Sequence, residues 1–339
     1  MNNNENSNIL VGGGEVRCVD RKKLSDCIPL SAPFSLNIGV SEICNFRCNY
    51  CMHSTIDGKK YLNCGFIDMN TFEKILLDAS ELSPNYNIVN LIGMGEPLLH
   101  PDIIEMVNKV RKSGISKRIE ITTNASKLTP ELSLGLINAG LTRLIVSIQG
   151  VTEEKYKEIC GVKLNLDNLI NNLKFFYENK HNTEVYIKIA DTALEQEELI
   201  FYEMFSPYAD VINIENTVPL FKDVDYTNII KRKEIKSRYG TSIQHQQCCQ
   251  MIFYALFIRP NGDVSPCCLL PEPVNLGNIY NNTLKEIWNG EVRNEFLKLH
   301  LRKERHKNMH CKGCVYPTLS SEPLDYLDDD AEEILKRFK

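Results

Sequence analysis

Three cysteines stand within eight residues in the stretch Cys44-Asn45-Phe46-Arg47-Cys48-Asn49-Tyr50-Cys51. Thiolates bind soft metals, and a structural single-metal site closes with four ligands, whereas this C-x3-C-x2-C spacing offers three. His53 is the nearest further ligand, but it leaves the same short loop, so a zinc site built on it is cramped. A four-iron cube suits the spacing better. Three thiolates hold three irons, and the fourth iron stays open to an exogenous molecule. An open coordination position is what separates a catalytic metal site from a structural one.

A second group of cysteines lies near the other end. Seventeen residues separate Cys249 from Cys267, and Gly262 stands before Cys267 in a G-x4-C pattern. Asn261-Gly262-Asp263, between the β-like runs FYALFI and DVSP, reads as a hairpin turn that would draw the flanking cysteines together. Cys311 and Cys314 add a C-x2-C knuckle. The adjacent Cys248 and Cys268 leave a one-residue shift open at both positions, and a four-thiolate zinc ribbon is the structural alternative for the whole group. Cys18, Cys27, Cys64 and Cys160 follow no ligand spacing and read as core or loop thiols.

The rest of the composition narrows the setting. Thirteen cysteines in a 339-residue chain without an export signal point to metal binding or catalysis rather than to a disulfide framework. The start, MNNNENSNILVGGGEV, has neither the charged nor the apolar region of a signal peptide. No apolar run is long enough for a membrane span, so the expected address is the cytoplasm. A net charge of −5 excludes the basic excess of a non-specific nucleic-acid binder.

These cysteines must be positioned by a scaffold. Six β-branched runs, at 34–43, 88–94, 118–123, 143–149, 184–191 and 210–215, alternate with helical patterns. Their near-continuous apolar character predicts parallel strands buried on both faces. Asn70 with Glu73 predicts a capping box, Thr129-Pro130-Glu131 a helix start, and Gly114 a helix end. The alternation gives an α/β fold with a parallel sheet, open or closed, whose chemistry belongs at the C-terminal strand ends. The three-cysteine loop follows the first of these strands, at the correct end. Residues 218–245 read as a linker with a helical portion, and the tail DYLDDDAEEILKRFK as a solvated helix.

In this setting the first motif resembles the signature loop of the radical S-adenosylmethionine (radical SAM) superfamily. The resemblance implies a partial (β/α)6 TIM-like barrel, with Cys44, Cys48 and Cys51 on a [4Fe–4S] cluster whose open iron is chelated by SAM. Tyr50 matches the family's aromatic position near the adenine. Gly93-Met94-Gly95-Glu96-Pro97 resembles the family's GGEP segment, which meets the SAM amino group, with Met94 in place of a glycine. Asn124 ends a segment similar to the family's TNG, with Ala125 where glycine is usual. Ser147 and Gln149 stand at the end of the fourth strand, where the family's serine can touch the SAM ribose or carboxylate. The second cysteine group, with Gly277-Asn278 and Trp288, is similar to the family's C-terminal SPASM and twitch domains. No cysteine follows Cys314, which implies one auxiliary [4Fe–4S] cluster on Cys249, Cys267, Cys311 and Cys314. The expected layout is an extension at 1–33, a core at 34–240, the auxiliary domain at 245–318 and a tail at 319–339.

The resemblance also implies a reaction. Reductive cleavage of SAM gives a 5′-deoxyadenosyl radical that abstracts hydrogen from a substrate, with flavodoxin or ferredoxin as electron donor. The expected outcome is dehydrogenation or rearrangement of a small polar metabolite such as a sugar or cyclitol. Asp191 and Glu215, at strand ends, are geometric candidates for the base, with capping or solvation as their structural alternative. Lys188 could meet the SAM carboxylate or pair with a neighbour. Two other readings stay open. One is a maturase of a peptide or protein, against which stand the roughly 35 residues before the first strand, few for a leader-recognition domain. The other is a zinc-binding interaction protein, which would hold zinc where the enzyme holds about eight irons in two four-iron clusters.

Overall fold

The β-branched runs pair in chain order. The computed structural model describes residues 10–11 and 22–338, so the reading of Cys18 lies outside the described residues. Its strands are β1 (Leu10–Val11), β2 (Ser35–Gly39), β3 (Ile88–Ile92), β4 (Ile119–Thr123), β5 (Arg143–Ile148), β6 (Glu184–Ala190), β7 (Val211–Glu215), β8 (Ala255–Ile258), β9 (Asp263–Ser265) and β10 (Gly277–Asn278). They form one open sheet in the order β1-β7-β6-β5-β4-β3-β2-β8-β9-β10. Pairs from β1 to β8 are parallel, and β8-β9 and β9-β10 are antiparallel. Each of the six expected strands is present as β2 to β7, and the sheet does not close, as in a partial barrel. β2 and β3 stop short of their apolar runs because the chain leaves the sheet there for the cysteine loop and the glycine-rich segment.

Helices fill the connections, with ends set by local chemistry. Thr129 caps Pro130–Ala139 by accepting from Leu132 N at 3.2 Å, and Gly114 ends Ile103–Ser113 at a left-handed φ of 69°. The cap expected at Asn70 falls instead on Asp68, whose carboxylate accepts from Thr71 N at 2.9 Å. Asp68 is extended and stands three residues before that free N–H, where a short acidic side chain reaches it.

Both faces of the strands are buried, but the two differ. Leu36, Ile38, Val89, Leu91, Leu144, Val146, Val185 and Ile187 carry one face into the main core. The opposite face is polar and internally paired. Asn90 Nδ2 donates to Asn37 Oδ1 at 2.9 Å, Glu120 lies between Arg118 and Arg143, and Lys188 meets Glu215 at 3.0 Å. Buried polar groups are tolerated when partnered in this way, and of these only Lys188 and Glu215 line the cavity at the C-terminal strand ends.

The cysteine-rich half does not stand apart from the sheet. β8 pairs with β2, and Asn37 Nδ2 donates to Leu256 O at 3.1 Å across that seam. The expected hairpin is present as β8–β9, with Gly262 at φ 82° in its turn. Behind it Trp288 is buried, donates to Leu30 O at 3.1 Å, and carries the Arg293 guanidinium 3.3 Å above its ring. Two expectations are corrected here. The tail is not solvated: Leu327, Ala331 and Ile334 are buried beside Ile28, Cys248 and Leu297, because its apolar residues share one side. Among the described residues, no helix or strand lies between Glu215 and Met251, so the expected helical portion of the linker is absent. Its cations are drawn to the strand ends instead, Arg232 to Asp191 and Arg238 to Glu215. No described helix is long and apolar enough to cross a membrane.

Candidate functional site

The three-cysteine loop is fixed from several sides. Gly95 N donates to Ser41 O at 2.9 Å and Glu96 N to Ile43 O at 2.8 Å, tying the loop's start to the end of β3. Arg47 N and Asn49 N donate to Cys160 O at 2.9 Å and Ile159 O at 2.8 Å, so its middle rests on the last turn of helix Glu153–Cys160. Asn124 Nδ2 donates to Asn45 Oδ1 at 3.0 Å, and Tyr226 hydroxyl to Tyr50 O at 3.2 Å. His53, a cramped zinc ligand on paper, bonds through Nε2 to Met94 O at 2.7 Å. It braces the loop.

The thiols themselves are poor thiolates without a cation. Burial, with their mutual proximity adding to it, pushes Cys44 and Cys51 up to about 11. The Cys160 thiol, 3.8 Å away, and burial push Cys48 up as well. Metal binding reverses this by stabilising the deprotonated form, so the donor set fits a cluster. Among the described residues no three Cys, His, Asp or Glu side chains converge as tightly as a single ion requires. A cube binds each thiolate at a different corner and takes a wider set.

The glycine-rich segment at the end of β3 is shaped by close packing. A Cβ on Gly93 would meet Ser41 O at 2.1 Å, and one on Gly95 would meet Ile43 O at 2.3 Å. Position 94 tolerates Met because its side chain lines a separate cavity beside Cys267 and Cys268. Glu96 is 3% exposed, and its carboxylate accepts from Leu98 N at 2.9 Å, Thr123 Oγ1 at 2.5 Å and Asn124 N at 2.7 Å. Burial raises the Glu96 carboxyl and these donors oppose the rise. Glu96 thus clips the β3 and β4 ends together. Ala125, at φ 57°, keeps the left-handed turn that makes glycine usual there.

A cavity of about 210 Å³ opens at the C-terminal strand ends, lined by Tyr50, Cys51, Ser147, Gln149, Lys188 and Glu215 among others. Gln149 Oε1 is buried there without a partner among the described residues, an acceptor suited to a ligand. Of the expected site residues, Gly93 and Met94 face the separate cavity, and Asn124 acts by holding Asn45. Asp191 is not placed for proton transfer. It does not line the cavity, and its carboxylate binds Arg232 at 2.5 Å and accepts from Thr217 N at 2.7 Å, the capping role given as its alternative. Glu215 does reach the cavity, between Lys188 at 3.0 Å and Arg238 at 3.4 Å. Sequence reasoning left Lys188 unassigned and missed Arg238, which lies in an irregular segment with no motif around it.

The second cysteine group lines its own cavity, about 220 Å³, with Cys249, Cys267, Cys311 and Cys314 all on its wall. Cys248 is fully buried and its N–H donates to Asp328 at 2.7 Å, whereas Cys268 lines the cavity beside Met94. Arg305 Nη1 straps the knuckle by donating to Cys311 O at 2.7 Å and Cys314 O at 2.9 Å. Burial and the neighbouring Cys314 thiol push Cys311 up to about 12, so this group too calls for a cation. His300 also lines the wall, and burial pushes it down to about 3. Leu220 lines both cavities, placing them side by side.

Comparison with known proteins gives a consistent picture. Residues 38–191 match the Radical SAM superfamily, and residues 248–315 match SPASM, an iron–sulfur cluster-binding domain. A "Probable GTP 3′,8-cyclase" of Thermococcus kodakarensis is 34% identical over 128 residues, 38% of this chain and 39% of that one. The GTP 3′,8-cyclase of Klebsiella pneumoniae is 30% identical over 128 residues, 38% of each chain. The match therefore spans about four-tenths of the length of these two relatives. Among solved structures, Streptococcus suis SuiB aligns over 91% of this chain and 79% of its own, at a TM-score of 0.61 and 18% identity. BtrN in complex with AdoMet and 2-DOIA aligns over 86% and 97%, at 0.55 and 17%. These likenesses show the fold.

Proposed function

The chain belongs to the radical SAM superfamily and carries a C-terminal SPASM domain, and from that premise we propose that it oxidises or rearranges a small polar metabolite. The observation that carries the proposal is the cavity where Gln149, Lys188, Glu215 and Arg238 meet beside Tyr50 and Cys51. Its polar wall suits hydroxyl-bearing or anionic substrates of sugar, cyclitol or nucleotide size. The partial match to GTP 3′,8-cyclases, whose name specifies a small polar substrate, points the same way.

When bound, a cluster on Cys44, Cys48 and Cys51 supplies the electron that cleaves SAM to a hydrogen-abstracting radical, and one on Cys249, Cys267, Cys311 and Cys314 offers an electron a way out. The chain's own residues do the rest. The orphaned Gln149 Oε1 binds and orients the cosubstrate, with Ser147 and Tyr50 on the same wall. Lys188 and Arg238 hold anionic or hydroxyl groups of the substrate. Glu215 is the carboxylate within reach of a proton lost there, if its two cations release it on binding. Val218, Leu220, Phe221 and Tyr226 line the same cavity and limit water there.

The test is anaerobic incubation of reconstituted protein with SAM, a reductant and separate panels of sugars, cyclitols, nucleotides and peptides. Release of 5′-deoxyadenosine should rise with one of the small polar compounds and vanish in Cys44→Ala. A response to peptides alone would favour a maturase. Equal release by wild type and Cys44→Ala would overturn the assignment of the first cluster. Zinc in place of about eight irons per chain would return the chain to the interaction-protein reading.

A further inference from the structure

We propose that His300 donates a hydrogen bond from Nε2 to the auxiliary cluster and thereby raises its reduction potential, an inference that rests on Cys249, Cys267, Cys311 and Cys314 holding that cluster. His300 stands on the last turn of helix Glu291–Leu301 and is 1% exposed. The backbone N–H of Cys249 donates to its Nδ1 at 3.2 Å. A ring nitrogen that accepts has no proton, so the neutral ring carries its proton on Nε2. That Nε2–H is buried and has no acceptor among the described residues. Buried donors are nearly always satisfied, and an orphan calls for a partner that the polypeptide does not provide. The ring lines the same cavity as the four cysteines, and Phe296 packs edge-on against it at 4.9 Å, which fixes its orientation.

The tautomer also decides what His300 is not. A nitrogen that carries a proton offers no lone pair to iron, so His300 acts beside the ligands rather than as one of them. Because Cys249 supplies both a ligating sulfur and the N–H that sets the tautomer, binding of the cluster and aim of the donor are linked. Hydrogen bonds to cluster or thiolate sulfur favour the reduced, more negative state and move the potential upward. His300 is thus a positioning and tuning residue, set where an auxiliary cluster would accept an electron.

The experiment uses full-length protein with Cys44→Ala, Cys48→Ala and Cys51→Ala, reconstituted without oxygen, so that signals come from the auxiliary cluster alone. The parent should hold about four irons, and so should His300→Phe and His300→Gln added to it. Potentiometry followed by electron paramagnetic resonance should show a more negative midpoint in His300→Phe. A shift of tenfold in the reduction equilibrium corresponds to about 59 mV for one electron. The amide of His300→Gln should restore part of it. Electron–nuclear double resonance of the reduced proteins in H2O and D2O should show, in the parent, an exchangeable proton that His300→Phe lacks, whereas the Leu269 N–H, 3.4 Å from Cys267 Sγ, contributes to both. Equal midpoints in all three proteins, or the same exchangeable protons in the parent and His300→Phe, would overturn the proposal. Loss of iron in a folded His300→Phe would make His300 a ligand and overturn it too. A parent without iron would instead bring down the reading of the auxiliary site, and the proposal with it.

Discussion

Glu96 joins two loops that must stay in register, and its replacement isolates the energy of that joint. Its Oε1 accepts from Leu98 N and Thr123 Oγ1, and its Oε2 from Asn124 N. In Glu96→Gln one oxygen remains, and the new NH2 must face a backbone N–H, whichever way the amide turns. One buried donor then lacks an acceptor, at a cost of about 1–3 kcal/mol. Glu96→Ala removes all acceptors. Water entering the space recovers part of the loss, leaving roughly 3–5 kcal/mol against the joint. A protein with two cluster sites is unsuited to a single unfolding midpoint, so local opening is the better measure. Hydrogen exchange followed by mass spectrometry on peptides covering 96–99 and 123–126 should accelerate in Glu96→Gln by about 5- to 150-fold, since about 1.4 kcal/mol is tenfold. It should accelerate further in Glu96→Ala, while peptides from helix Leu166–Asn179 keep their wild-type rates. Exchange within twofold of wild type at both loops in Glu96→Gln would refute the joint.

Gly95→Ala places a Cβ 2.3 Å from Ile43 O. The glycine segment and the cysteine loop must separate by about 1 Å, which should lower 5′-deoxyadenosine formation about 100-fold while iron content holds. Asp68→Ala removes the cap of helix Met69–Leu82 and should cost about 1 kcal/mol near neutral pH, read from the helix's exchange protection. Hydrogen bonds from Thr71 hold the Asp68 carboxyl below its usual range, so the cap's contribution is full above the unfolded value and fades as pH falls through the folded one. The difference between Asp68→Ala and wild type should therefore shrink in acid.

The strands of the first half were readable because each is a short β-branched run bounded by a helix signal, and parallel neighbours follow in chain order. The ligand spacing was readable because three thiolates on one loop must be close in sequence. What escaped depends on long-range pairing. The β8–β2 seam joins residues more than two hundred apart, and nothing in FYALFI names its partner. Cys160 lies 3.8 Å from Cys48 because the cysteine loop rests on a helix end, a contact that no spacing encodes. Met94 and Ala125 show the reverse case. Both depart from the resembled pattern in residue type, yet one side chain has room in a neighbouring cavity and the other backbone keeps its φ of 57°. The base candidates looked equivalent in sequence, and only their cationic partners and the cavity wall distinguish Asp191 from Glu215.

The irregular segment after β7 touches both halves at once. Leu220 faces both cavities, Tyr226 grips Tyr50 O, and Lys222 donates to Met309 O at 2.9 Å. Any displacement of this segment would move wall residues of both cavities together, so the two cannot change shape independently along it.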